Sequence, residues 1–287
     1  ANSTTLDDIL VVRLNSDGTV IREKIFNASG NQSATDILQT SEGFLLMGTT
    51  DIARTPLTDS TGNKAGKKDI LVMRLDPDLN SIGTIPGKGF PNDDFGAAII
   101  PDGENGFIIA GTTDRSEEAG QGSSNIFMIR INAFGTDIGK QITGTSDGEY
   151  VSDIETVDDG YLVTGTLNKE SSSQKIFISK IPKDISQAPV FTTTIGDTKL
   201  WSANAMSRFR NNYFVIAGKK GYGSGSDMLV CTIDEEGNLI DGLEKTISTD
   251  GIQLFIDVVS DPAGNVIAIG KITYETNSMI TLLKFRF

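Results

Sequence analysis

The sequence contains no histidine. This absence excludes Ser-His-Asp and Cys-His catalysis, histidine zinc sites and imidazole proton transfer. The one cysteine, Cys231, has no partner within the chain for a disulfide and cannot build a thiolate zinc cluster. Aromatic residues are also scarce, at 7% with a single tryptophan, so few side chains are available to stack on a sugar ring.

Basic residues are outnumbered, with 25 Lys and Arg against 38 Asp and Glu in 287 residues and a net charge of −13. This balance argues against a nucleic-acid partner, because phosphate recognition needs clustered Lys and Arg. No apolar run reaches about 18 residues, so no membrane-spanning helix is predicted. What the chain does have is 38% hydrophobic residues and 31 glycines, which indicates a packed core with many turns.

Two apolar segments recur along the chain. The first, Ile9–Leu14, has copies at Ile70–Leu75, Ile126–Ile131, Ile176–Ile181, Met228–Ile233 and Met279–Lys284. The second closes on a glycine and occurs at Gly43–Gly48, Gly106–Gly111, Gly160–Gly165, Asn212–Gly218 and Gly264–Gly270. The closing glycines lie 63, 54, 53 and 52 residues apart, a regularity that indicates a repeated structural unit.

Each repeat contains four short β-branched segments separated by turn residues, with Thr35–Thr40 typical of the first and Val20–Phe26 of the fourth. Four antiparallel strands in each repeat of about 40 to 55 residues predict an all-β fold, a β-propeller of four-stranded blades. A β-sandwich is the alternative, but it would not need a repeated sequence.

We predict one domain over residues 1–287 with five blades, and six blades is the open alternative. The repeats cover approximately residues 33–87, 94–143, 150–195, 201–247 and 253–287, with residues 8–26 as closing strands. A five-bladed ring would close where Val20–Phe26 pairs beside Met279–Phe285, leaving Ile9–Leu14 as an extra outer strand. A six-bladed ring would need an incomplete blade.

The repeats resemble those of secreted bacterial β-propeller proteins. The resemblance lies in an apolar strand ending in Gly-Thr-Thr-Asp, then a loop, then Asp-Ile-Leu-Val-Val-Arg-Leu and Asp-x-x-Gly. It covers nearly the whole chain and implies an exported, lipoprotein-like protein that is secreted, periplasmic or surface-anchored through a removed N-terminal segment. It carries over no catalytic residue. The family often has Trp in the fourth strand, whereas Trp201 here lies near the start of a first strand.

The presumed innermost strands place four polar residues and one alanine in one column: Asp36, Ala97, Asp153, Asn204 and Asp257. Carboxylates that face one axis repel each other unless they are solvated, protonated or bridged by a cation. One interpretation is therefore a Ca²⁺ site, since Ca²⁺ prefers several oxygen ligands. The other, which we favour, is that these side chains bond backbone N–H groups and fix one blade against the next.

The same carboxylates allow an enzyme. A carboxylate pair can supply the general acid and the nucleophile or base of a glycoside hydrolase. Tyr150 and Trp201 stand just before two residues of the column and could form a small sugar platform at the channel mouth. Repetition argues against catalysis, because similar environments do not push carboxylate pKa values apart.

A basic column falls near the end of the third strands, at Arg13, Arg74, Arg130, Lys180, Thr232 and Lys284. We expect these residues to pair with acidic groups on adjacent strands or loops. Loops of variable length at Ile52–Lys68, Arg115–Ser124 and Lys219–Ser226 share one face, as recognition loops of repeat proteins do.

The predicted function is a non-catalytic extracytoplasmic binding or scaffold module for a protein or glycan ligand. No cofactor is expected, with Ca²⁺ as the open alternative. The alternative function is a glycoside hydrolase-like enzyme that uses carboxylates at the channel mouth.

Overall fold

The fold, given by a computed structural model, consists of 21 β-strands and one short 3-10 turn at Gly223–Gly225 in the part of the chain that the structure describes. That part comprises residues 7–27, 30–51, 68–90, 92–103, 106–114, 122–169, 172–197, 200–210, 212–261 and 263–286. The chain divides into two compact units. One comprises Ala1–Glu118 and Phe127–Lys140, and the other comprises Ala119–Ile126 and Gln141–Phe287.

The strands follow one another as antiparallel meanders. An N-terminal hairpin is formed by β1 (Ile9–Leu14) and β2 (Val20–Phe26). The first sheet contains β3 (Gln32–Thr40), β4 (Gly43–Thr50), β5 (Asp69–Leu75) and β6 (Ser81–Lys88), and the second contains β7 (Asp94–Asp102), β8 (Gly106–Thr113), β9 (Asn125–Asn132) and β10 (Asp137–Thr143). The third sheet contains β11 (Glu149–Val157), β12 (Gly160–Leu167), β13 (Lys175–Pro182) and β14 (Phe191–Ile195). The fourth contains β15 (Trp201–Phe209), β16 (Tyr213–Lys220), β17 (Asp227–Asp234) and β18 (Lys245–Ile247), and the fifth contains β19 (Ile252–Ser260), β20 (Asn265–Tyr274) and β21 (Asn277–Arg286).

The predicted fold class, an all-β propeller with five blades of antiparallel strands, is confirmed. Four blades have four strands and the fifth has three. One detail differs: β2 pairs with β1 and β21 pairs with β20, so the expected pairing of Val20–Phe26 beside Met279–Phe285 is not among the strand ladders of the described residues. The hairpin buries Ile9 and Val11 among apolar side chains of the first sheet, including Leu46, and this packing holds it there.

The middle strands read as continuous apolar runs because neighbouring sheets cover both of their faces. All eight residues of β12 are buried, whereas the outer strand β14 alternates between partly buried and exposed positions. In the second unit, Leu162 and Ile178 of the third sheet share a core with Ile216 and Cys231 of the fourth. Burial raises the pKa of the Cys231 thiol to about 12, so this cysteine serves as a small apolar side chain.

Every first strand carries a β-bulge at the same position. The bulged residues are Thr35, Ala97, Ser152, Asn204 and Ile256. The residue just before the bulge pairs with the glycine that closes the second strand, as Val151 does with Gly165. A Cβ at Gly165 would lie 2.0 Å from the carbonyl oxygen of Tyr150, and one at Gly48 would lie 1.8 Å from that of Ser33. The repeated glycine is therefore required by a close approach of two backbones.

Candidate functional site

Two carboxylates of the predicted column join one sheet to the next. Asp36 accepts a bond from the N–H of its neighbour Ile37 at 2.7 Å and one from Ile99 of the second sheet at 2.8 Å. In the other unit, Asp153 accepts bonds from Ile154 at 2.7 Å and from Met206 of the fourth sheet at 2.7 Å. Both oxygens of each carboxylate thus hold backbone N–H groups, which agrees with the favoured interpretation of the column.

The bulged residues also bond the next sheet, but as donors to its backbone carbonyl groups. Ser152 donates its hydroxyl to the carbonyl of Ala203 at 2.7 Å, and Asn204 donates its side-chain amide to the carbonyl of Phe255 at 2.5 Å. Asn204 is therefore a bulge residue, and Ala205 occupies the position equivalent to Asp153. The sequence alignment misplaced Asn204 and Ala97 by one residue because the turns after the first strands differ in length.

Asp257 occupies the same position in the fifth sheet but is exposed there. Its carboxylate accepts a bond from the N–H of Val258 at 2.7 Å. Among the described residues, its second oxygen accepts no bond from a further sheet. Asp257 is therefore a natural control for Asp153.

The two predicted aromatic residues differ in accessibility. Trp201 is buried, donates its indole N–H to Asp197 at 3.1 Å and lies 4.4 Å below the ammonium of Lys220. Tyr150 is partly buried, with the ammonium of Lys169 5.5 Å from its ring centre. A ligand role for either ring stays a prediction, and Trp201 offers no open face for a sugar.

A residue at the first or second position of four inner strands is buried and bonds the residue four positions earlier. Asp94 accepts from the N–H of Phe90 at 2.5 Å, and Glu149 accepts from that of Thr145 at 2.8 Å. Trp201 bonds the carboxylate of Asp197, and Gln253 bonds the carbonyl of Thr249. These contacts fix the connection between successive sheets, so the burial of these polar residues is structural.

Asp94 is the most perturbed of these groups. Its pKa is raised to about 7, mainly by burial and also by the nearby charge of Asp69, while bonds from Phe90 and Thr113 and the charge of Lys140 oppose the change. Asp94 is completely inaccessible to solvent and Asp69 nearly so. The pair therefore cannot reach a substrate.

An open polar cleft lies in the first unit where β3 begins and β4 ends. It has a volume of about 370 Å³ and is lined by Asp7, Asn31, Asp51, Lys68 and Phe95, among others. Asn31 organises it: its N–H and its amide each donate to the carboxylate of Asp51 at 2.6 Å. Its amide oxygen accepts the N–H of Asp7 at 3.1 Å. Two carboxylates thus line a site open to solvent, which we call the acidic cleft.

A second pair of carboxylates adjoins the acidic cleft through Lys68. The N–H of Lys68 donates to the carboxylate of Asp93 at 3.2 Å, and the N–H of Asp114 donates to the carbonyl of Asp93 at 3.0 Å. Burial and then the charge of Asp93 raise the pKa of Asp114, and the charge of Lys68 opposes the increase. Asp114 therefore lies in an environment that favours its protonated form.

Sequence reasoning missed these carboxylates, although a signal was present. Asp51 and Asp114 end the two copies of Gly-Thr-Thr-Asp, and Asn168 holds the corresponding position of the third sheet. Of the loops proposed for recognition, residues 52–67 and 115–121 lie outside the described residues.

No three Asp, Glu or Cys side chains of the described residues come close enough together to hold a metal ion. The proposed Ca²⁺ site at the column accordingly has no ligand cluster there, since Asp36 and Asp153 bond backbone N–H groups instead.

None of the helical segments in the described ranges has the length and apolar character needed to cross a membrane.

Comparisons by sequence give no family. No protein-family model matches the chain, and no curated protein matches it.

The fold is shared with solved structures. The endo-arabinase of Bacteroides thetaiotaomicron VPI-5482 matches with a TM-score of 0.52 and 11% identity, over 89% of this chain and 94% of that one. A puromycin hydrolase matches with a TM-score of 0.50 and 12% identity, over 87% of this chain, which spans 39% of the hydrolase. A GH43 β-xylosidase/α-arabinofuranosidase from a compost microbial metagenome gives a TM-score of 0.48 at 11% identity, over 88% and 90% of the two chains. At these identities the two matches with a TM-score of at least 0.50 show the shared fold alone.

The prediction of a non-catalytic binding or scaffold module is wrong by this comparison. One structure that shares the fold is named as an endo-arabinase, which counts against this prediction. Two of the column carboxylates on which that prediction depended, Asp36 and Asp153, are engaged in joining sheets.

The bond from Met206 to Asp153 makes a prediction about stability. Asp153→Ala should lower the free energy of unfolding by about 1–3 kcal/mol, because the N–H of Met206 is left buried without an acceptor. Asp257→Ala removes the equivalent carboxylate of the fifth sheet, which accepts no bond from a further sheet within the described residues. This variant should change the free energy of unfolding by less than about 0.5 kcal/mol. Denaturant titration of both variants measures the difference. Equal losses would show that the inter-sheet bond contributes nothing.

The raised pKa of Asp94 predicts a pH dependence. A carboxyl group whose pKa is higher in the folded state favours folding at low pH, and this contribution is lost as pH rises from its unfolded value towards about 7. The stability of the wild type should therefore fall relative to that of Asp94→Asn, by at most about 1.4 kcal/mol per pH unit between roughly pH 4 and 7. Parallel stability curves for the two proteins would contradict this.

Proposed function

We propose that the protein is a hydrolase of glycosidic bonds with its active site in the acidic cleft. The observation that carries the proposal is that Asp51 lines the acidic cleft, while Asp114, at the end of the second strand of the next sheet, adjoins it through Asp93 and Lys68. Glycoside hydrolysis needs such a pair, one carboxyl group to protonate the leaving oxygen and one to act at the anomeric carbon. The fold shared with an endo-arabinase supports the same chemistry.

In this proposal Asp114 is the general acid. Its raised pKa keeps a larger fraction of the carboxyl protonated at mildly acidic pH than an ordinary aspartate would have. Protonation of the glycosidic oxygen by Asp114 breaks the bond to the leaving sugar. Lys68 stands beside this group and limits the increase in its pKa.

Asp51 acts at the anomeric carbon, directly or through a water molecule. The two 2.6 Å bonds from Asn31 fix the orientation of its carboxylate, as positioning of a catalytic group requires. Phe95, which is partly buried at the wall of the cleft, supplies an apolar surface for the sugar. The partner of the protein is accordingly a glycan.

Asp51→Asn and Asp114→Asn should each lower kcat/KM by about 100-fold or more, since each removes one of the two carboxyl groups. The assay is release of reducing ends from soluble arabinan, xylan and galactan. Wild-type activity should fall as pH rises through the raised pKa of Asp114, because the acid must be protonated.

Asp76→Asn is the matched control. Asp76 holds Asn80 through two bonds of 2.8 and 2.9 Å, much as Asp51 holds Asn31, but at the other end of the first sheet. This variant should retain wild-type activity. The proposal fails if the wild type releases no reducing ends from any substrate, or if Asp76→Asn loses as much activity as Asp51→Asn.

We also propose that the protein acts outside the cytoplasm, as a secreted, periplasmic or surface-anchored protein of lipoprotein-like type. The support is the resemblance of its repeats to exported bacterial propellers. Fractionation of the source cells with an antibody against the protein tests this, and detection in the cytoplasm alone would contradict it.

A further inference from the structure

A second cleft lies at the opposite end of the first two sheets from the acidic cleft. It has a volume of about 440 Å³, within the range of about 300–1,000 Å³ typical of small-molecule sites. Its apolar wall includes three phenylalanines, Phe44, Phe107 and Phe134, and its charged groups are Arg74 and Glu42. We call it the phenylalanine cleft.

The two charged residues occupy positions that form an ion pair elsewhere in the chain. In the third sheet, Asp159 directly precedes the glycine that opens the second strand and pairs with Lys180 at 2.9 Å. Glu42 and Arg74 are the corresponding residues of the first sheet. Within the described residues they are not paired, and the side chain of Glu42 makes no hydrogen bond. The cleft thus holds one cation and one anion that are both available to a ligand.

Arg74 also fixes the aromatic rim. It donates to the carbonyl of Ala133 in the turn between β9 and β10. The side chain of Asn132 holds the same turn by accepting the N–H groups of Phe134 at 2.9 Å and Thr136 at 3.0 Å. Phe134 nevertheless remains 85% exposed, beside Ile82, which is 55% exposed. A rigid turn therefore presents a large apolar ring to solvent next to a guanidinium group.

We propose that the phenylalanine cleft binds a short apolar peptide with free termini. A guanidinium group matches a carboxylate in geometry and charge, so Arg74 would hold the C-terminus. Glu42 would hold the ammonium group, and the phenylalanines would bury the apolar side chains. An oligosaccharide is disfavoured because it offers neither charge to Arg74 and Glu42. This inference does not rest on the proposed hydrolase activity.

The test is calorimetric titration of the full chain with leucyl-phenylalanine. Two derivatives, one acetylated at the amino group and one amidated at the carboxyl group, remove the two charges separately without changing the protein. Each derivative should bind roughly tenfold to hundredfold more weakly, as expected for loss of one charge-assisted hydrogen bond. Glu42→Gln should weaken binding of the parent peptide while leaving that of the acetylated derivative unchanged.

Arg13→Gln is the matched control for Arg74→Gln. Arg13 of β1 donates to the carbonyl of Pro77 at 2.6 Å, as Arg74 of β5 donates to the carbonyl of Ala133. Arg13 does not line the cleft. Only Arg74→Gln should weaken binding of the peptide. The proposal is overturned if no heat is released at millimolar peptide, if both derivatives bind as tightly as the parent, or if an arabino-oligosaccharide binds here and the peptide does not.

Discussion

The bulge that faces a glycine in each inner strand is the constraint on which the rest of the architecture depends. One extra residue on the inner strand leaves the backbone lying across the neighbouring second strand, and only a glycine fits beneath it. The bulge turns the following side chain towards the next sheet. Asp36 and Asp153 can therefore hold an N–H group of that sheet, and Ser152 and Asn204 can donate to its carbonyl groups.

This arrangement explains why the most conspicuous polar column is structural. A carboxylate that accepts one N–H group from its own strand and one from the next sheet is committed to joining the two sheets. The buried acids at the starts of the inner strands are engaged in the same way, as Asp94 and Glu149 show. Groups that can act on a ligand are found instead at the ends of the sheets, where strands stop and side chains remain open to solvent.

The first unit carries two such places at opposite ends of its sheets. At the acidic cleft, Asn31 orients the carboxylate of Asp51, and Asp114, whose pKa is raised by burial and by the charge of Asp93, adjoins the cleft through Lys68. In the phenylalanine cleft, a turn fixed by Arg74 carries an exposed ring beside Arg74 and Glu42, which form no ion pair within the described residues. Both sites arise because the repeats are not identical. An Asp-Lys pair of the third sheet becomes separate Glu and Arg side chains in the first.

The sequence by itself determined the repeat, the four-stranded unit and the closing glycines, because strand periodicity and turn residues are local properties of the chain. It also identified the column of acids and their favoured role in joining sheets. The alignment of Asn204 and the partner of β2 were decided only by tertiary structure. A bulge and a turn each shift the register by one residue without leaving a distinct sequence pattern. Tertiary structure also decided which carboxylates remain open to solvent, because solvent access depends on how neighbouring sheets pack.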